Sequence, residues 1–155
     1  MNKTPLIALA LTALVGVIAL VLPWLVAGDR YTTRMGVTAT AASHQGLTPA
    51  ACAHGMGYPQ PFAGVYFVLP GNAPRLIVDT GEGHKPVRVR VEQAGREVAA
   101  VIGSQHCARM TGHVTPNGIT AYKVEGVDGE LDIECTLPDG QPLRIQGTFA
   151  NCFRP

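Results

Sequence analysis

Apolar residues follow two different patterns along this chain of 155 residues. From Leu6 to Ala27 they form a block, LIALALTALVGVIALVLPWLVA, of 22 residues without a charge. Wound as an α-helix, the block is roughly 33 Å long and matches the hydrocarbon core of a bilayer. It predicts a transmembrane signal-anchor helix over 6–27, behind a cytoplasmic tip of residues 1–5. From Ala63 onward the block gives way to short apolar runs separated by turn-forming residues such as Gly81-Glu-Gly83 and Pro138-Asp-Gly-Gln141. These runs predict strands near 63–69, 75–80, 85–92, 97–104, 107–115, 118–125, 130–137 and 142–149. The expected fold is all-β, an antiparallel β-sandwich or small β-barrel of about seven to eight strands, preceded by the one N-terminal helix. Between the two patterns, residues 28–61 keep neither a helical nor a strand period. The run from Thr38 to Pro49 is small and polar, which predicts a flexible spacer ahead of a β domain at 62–155. Cys52 lies inside this spacer and implies that its second half is tied onto the domain.

Alternation also sets expected registers. Val87, Val89 and Val91 share one face of their strand, with Arg88 and Arg90 on the other. A turn centred on Ala94-Gly95 pairs Val91 with Val98, Val89 with Ala100 and Val87 with Ile102, so that the apolar faces match. In the last hairpin Leu131, Ile133, Cys135 and Leu137 must face Leu143, Ile145, Gly147 and Phe149. A two-residue loop would set these faces against each other. An odd loop over Asp139–Gln141 pairs Leu137 with Leu143 and Cys135 with Ile145, and it puts Gly140 at positive φ. Asn117-Gly118 suits a type I′ turn, which places His113 opposite Tyr122.

Charge sharpens the division at residue 27. The formal net charge is +1, and the one charged side chain in residues 1–27 is Lys3, so the rest of the chain is neutral. Such a domain lacks the basic surface that neutralises phosphates, which excludes nucleic acid as its partner. Lys3 and the amino terminus favour an N-in orientation, while Arg30 and Arg34 are partly offset by Asp29. The apolar block exceeds a signal-peptide core, and Leu25-Val26-Ala27 is a poor cleavage site. The expected location is a single-pass inner (cytoplasmic) membrane protein with its β domain in the periplasm or outside the cell.

All four Cys (Cys52, Cys107, Cys135 and Cys152) lie in the exported part, where an oxidising compartment favours two disulfides. Three pairings are open. The nested one, Cys52–Cys152 with Cys107–Cys135, is favoured because its outer bridge closes the longer loop. No Cys-x-x-Cys marks a redox site.

Three sets of residues carry candidate chemistry. Leu76-Ile-Val-Asp-Thr-Gly81 resembles the Asp-Thr-Gly signature of aspartic peptidases, and Val101-Ile102-Gly103 supplies an apolar-apolar-Gly run. The resemblance implies Asp79 as a catalytic carboxylate, completed by a second copy in a homodimer. Glu-Gly-His-Lys-Pro follows the motif here, in place of the family's small residue and Ser/Thr. The Gly103 run also comes early, and no second Asp-Thr-Gly exists. The second set is His54, Met56, His106 and Met110, soft ligands that outside the cytoplasm would suit a copper-type metal carrier. The third is the strand face of Lys85, Arg88 and Arg90, suited to an acidic partner or anionic head groups. No nucleophile elbow or phosphate-binding Gly loop occurs. The expected function is therefore non-catalytic: a membrane-anchored binding, assembly or accessory module without a cofactor, working beside other membrane proteins of a bacterial-type envelope.

Overall fold

Alternating burial in most segments, and unbroken burial at 64–67 and 76–78, organise the chain from Arg34 to Cys152 into antiparallel strands. In the computed structural model, residues 31–81, 87–93, 100–121 and 123–153 are described. The predicted span at 6–27 lies outside them. Among the described residues no helix is long and apolar enough to cross a membrane. The strands are β1 (Arg34–Met35), β2 (Thr38–Ala41), β3 (His44–Leu47), β4 (Ala51–His54), β5 (Gly64–Val68) and β6 (Arg75–Asp79). They continue with β7 (Arg88–Glu92), β8 (Ala100–Ile102), β9 (Cys107–Ala121), β10 (Val124–Thr136) and β11 (Pro142–Cys152). One sheet has the order β3-β2-β11-β10-β9, with β1 also pairing β11, and the other runs β4-β5-β6-β7-β8.

Each sheet contributes its apolar face to a single core. Val65, Phe67, Leu76, Val78, Val89 and Ile102 from the five-stranded sheet are buried with Leu131, Ile133, Leu143 and Ile145 from the six-stranded one. Phe67 meets Phe149 edge to face across the interior, with centroids 5.6 Å apart. The nested disulfide pairing is present. Cys52–Cys152 joins β4 to β11, and Cys107–Cys135 joins the neighbouring strands β9 and β10.

The sequence-based expectation needs correction in four places. Residues 34–54 contain four strands where a spacer is expected. Thr38-Ala-Thr-Ala41 does alternate, and it buries Ala39 and Ala41 completely, but Ala is too small to announce a core position. Asn117-Gly118 is not a hairpin turn. It bulges out of a continuous β9, with Gly118 at φ +73°, and the chain reverses after Ala121 with Lys123 at φ +65°. His113 consequently faces Glu130 rather than Tyr122. The β7–β8 register pairs Val89 with Ile102 and Val91 with Ala100, two residues from the expected one. The expected turn there, with Lys85 and residues 94–99, lies outside the described residues.

The last hairpin has the predicted odd loop and Gly140 at φ +81°. However, Leu137 N donates to Gln141 O at 2.8 Å, so the loop is Pro138–Gly140 and Cys135 pairs with Leu143. Both hairpin errors are shifts of two residues, which leave every side chain on its correct face.

Candidate functional site

The outward face of the five-stranded sheet is built from registered rows. Ala53, Tyr66, Ile77, Arg90 and Val101 lie side by side across its five strands. The flanking rows carry Val68, Arg75 and Glu92 on one side, and Gly64, Asp79 and Arg88 on the other. The chain after β4 turns back over half of this face. A short 3₁₀ turn at Gly55–Gly57 begins the cover, and Tyr58 and Phe62 seal it. Gly55 is required for the close approach, since a Cβ there would sit 2.5 Å from the Phe62 carbonyl oxygen. Beneath the cover Ala53, Tyr66 and Ile77 are buried as a small second core.

Arginines and aromatic rings interleave where the cover ends. The Arg75 guanidinium lies 5.7 Å from the ring centres of both Tyr58 and Tyr66, and that of Arg90 lies 5.2 Å from Phe62. Each such contact contributes about 0.5–1 kcal/mol at a partly exposed site. The Tyr58 hydroxyl donates to Glu92 Oε2 and accepts from Arg75 Nη1 at 3.4 Å. Burial raises the Tyr58 pKa above its ordinary value of 10.0, and the hydrogen bond to Glu92 raises it further, against the opposing Arg75.

Past the cover the face is open. A groove of about 320 Å³ runs between Pro61-Phe62 and Val101, with Asp79, Arg88 and Arg90 along it. A second depression of about 290 Å³ continues past Arg88 and Val101 toward Gly103 and Gln105. Arg90 Nε is buried and has no hydrogen-bond partner among the described residues.

The other sheet's outward face behaves differently. Arg109 binds Asp132 at 3.1 Å and Glu134 at 2.8 Å, and Arg144 also pairs with Glu134. The Glu134 carboxyl is held below its usual range, chiefly by the hydrogen bond from Arg144. Among the described residues, no such carboxylate partner is recorded for Arg88 or Arg90. Among the described residues, one outward face thus neutralises its arginines internally, while on the other Arg88 and Arg90 have no carboxylate partner.

The remaining candidates are dispersed. Asp79 ends β6, and its Oδ1 accepts the Gly81 N–H at 2.9 Å, while Thr80 donates from both N and Oγ1 to the Ala63 carbonyl. The Asp-Thr-Gly run is therefore a closed side-chain turn that pins a strand end, with Asp79 at the rim of the arginine groove. His54 Nδ1 lies 2.8 Å from the Glu125 carbonyl oxygen, beside an exposed Met56. His106 is exposed in a 3₁₀ turn, whereas Met110 packs against the core. Among the described residues no group of three or more His, Cys, Asp or Glu is placed to hold a metal. All four Cys are in disulfides, so none offers a thiolate.

Tyr58, Phe62, Arg75 and Glu92 are the site residues that sequence reasoning missed. Arg75 and Glu92 were legible as outward positions of strands, but the rings of Tyr58 and Phe62 flank Pro59-Gln60-Pro61, in a stretch without a period. Searches against protein-family models, curated proteins and solved structures find no match for this chain.

Proposed function

We propose that this chain is a non-catalytic binding or assembly module of a bacterial-type cell envelope. It is anchored by one span at 6–27, with its β domain on the extracytoplasmic side. The apolar block and Lys3 support the anchor and its orientation, and the two disulfides fit an oxidising compartment. One observation carries the functional reading: among the described residues, Arg88 and Arg90 stand beside an exposed Val101 without a carboxylate partner, while the arginines of the opposite face are paired. Guanidinium groups without a carboxylate partner beside an exposed apolar side chain have the composition of a recognition surface.

The test is site-specific photo-crosslinking of the full-length protein in its native membrane. A crosslinker at Val101 should capture defined membrane proteins, and Arg88→Glu should abolish the capture. A crosslinker at Thr111, on the opposite face, should capture none of them. Equal capture from both positions would overturn the proposal. So would peptide hydrolysis by the purified full-length protein that Asp79→Asn abolishes.

A further inference from the structure

The two sheets end in strands of different character. β9, at one edge of the six-stranded sheet, carries Arg109, Pro116 and the bulge at Gly118, devices that discourage a further strand from pairing. At its other edge β3 is short and contains Gly46 at φ +61°. In the five-stranded sheet, β4 is bonded by the chain itself, since His54 N donates to the Phe153 carbonyl at 3.2 Å. The opposite edge, β8, is Ala100-Val101-Ile102. It has no charge, no proline and no bulge, and Val101 is 57% exposed. Like β3 it is short, at three residues, but unlike β3 it holds no positive-φ residue, and extended backbone beside the exposed Val101 can accept a short strand.

The chemistry beside β8 defines what that strand must carry. A strand added there would lie about 4.8 Å from β8 and about 10 Å from β7. Its residue next to Val101 would extend the row that runs from Ala53 to Val101, where an apolar side chain would cover the exposed Val101. Two positions along the strand, its side chain would stand over Gly103, where the far end of the Gln105 side chain lies 2.5 Å from the place of a Cβ and would have to swing aside. The depression of about 290 Å³ there opens toward Arg88. With Gln105 displaced, an acidic side chain at that position reaches over Gly103 to the guanidinium, which pairs with a carboxylate through two parallel hydrogen bonds.

A lipid surface fits less well. Anionic bilayers are recognised by about four to eight clustered cations, whereas here Arg75, Arg88 and Arg90 share their face with Asp79 and Glu92. We infer that β8 receives an extended segment of a partner protein, in which an apolar residue against Val101 is followed at two-residue spacing by an acidic residue bound to Arg88. The inference rests on the binding-module reading and names its partner chemistry.

The probe is the capped heptapeptide Thr-Glu-Thr-Val-Thr-Glu-Thr, added to full-length protein in mild detergent. Its symmetric acids serve either strand direction. Binding should shift the amide signals of Val101, Ile102 and Gly103. Arg88→Glu and Val101→Lys, both on exposed side chains, should each weaken binding about tenfold or more, the effect of one charge-assisted contact. The same peptide with Lys in place of Glu should not bind. Unchanged affinity in Arg88→Glu would overturn the inference, as would shifts confined to other residues. It would also fall if anionic vesicles displaced the peptide, or if Val101 crosslinked to a second copy of this chain instead. If Val101 crosslinks to envelope proteins but the peptide does not bind, this inference fails and the binding-module reading survives.

Discussion

Cys52 and Cys152 place their α-carbons 5.2 Å apart and join the edge strand of one sheet to the last strand of the other. Closing a loop with a sequence separation of 100 residues, the bridge restricts the unfolded chain more than Cys107–Cys135, whose separation is 28. In the chain-entropy account the two are worth about 4.7 and 3.6 kcal/mol. Replacing both cysteines of the outer pair by Ser should therefore lower the urea midpoint further than replacing both of the inner pair. The inner pair links strands that β9–β10 hydrogen bonds already hold together. The order should be read from equilibrium unfolding of the two double variants, and the reverse order would show that loop closure is not what these bridges supply.

The stretch expected to be a spacer offers the next prediction. Ala39 and Ala41 are buried beside Ile145 and Leu143, their partners on β11. Hydrogen exchange should find the β2 amides that bond β11 protected nearly as well as those of β5 and β6. Rapid exchange throughout residues 38–41 would restore the spacer reading. Deleting residues 34–50 should prevent folding, because it uncovers β11 as well as removing core side chains.

How much of this was legible follows from what each residue contributes to a pattern. Val89, Val91, Ile133, Leu143 and Ile145 are large and alternate with charged residues, so strands, faces and the all-β class could be read directly. The same alternation put Arg88 and Arg90 on the outward face. Thr38-Ala-Thr-Ala41 has the same period with small side chains, and its burial depends on β11, more than 100 residues away. Registers were read correctly by face and missed by two residues, because alternation fixes parity while turn geometry fixes position. The aromatic cover over Tyr66 and Ile77 left no periodic signal. Tyr58 and Phe62 reach the sheet through an irregular loop, and their role becomes visible only once the strands beneath them are in register.

Asn117 shows why a strong local turn signal gave way to tertiary structure. Its amide nitrogen donates to Asp128 Oδ1 at 2.8 Å and to Asn151 Oδ1 at 2.9 Å, and its oxygen accepts the Ile119 N–H at 3.0 Å. Asp128 Oδ1 also accepts the Asn151 N–H at 2.8 Å, where Asn151 is buried at φ +58°. The network ties the β9 bulge to β10 and to the end of β11. Asn117→Ala would remove all three side-chain bonds and leave the Ile119 N–H without this acceptor, at a cost of about 1–3 kcal/mol. Thr111→Ala, on the exposed face of the same strand, should cost well under that. Comparable losses in thermal unfolding of the two variants would mean that the network contributes little.

Tyr58 supplies a pH test of the aromatic cover. Its pKa in the folded protein is raised, by burial first and by the hydrogen bond to Glu92 second. A raised pKa means that folding favours the neutral phenol. The associated stability is complete below the ordinary value of 10.0 and is lost as pH rises through the higher folded value. Wild-type protein should therefore lose stability at alkaline pH partly through this residue. Tyr58→Phe, which cannot ionise, should start lower at neutral pH for want of the Glu92 and Arg75 contacts and then fall less steeply. The measurement is the urea midpoint of both proteins at about pH 8 and pH 11, with the difference between the two slopes assigned to Tyr58. Parallel slopes would show that the hydroxyl is not held as described, and that the ring alone seals the cover over Tyr66 and Ile77.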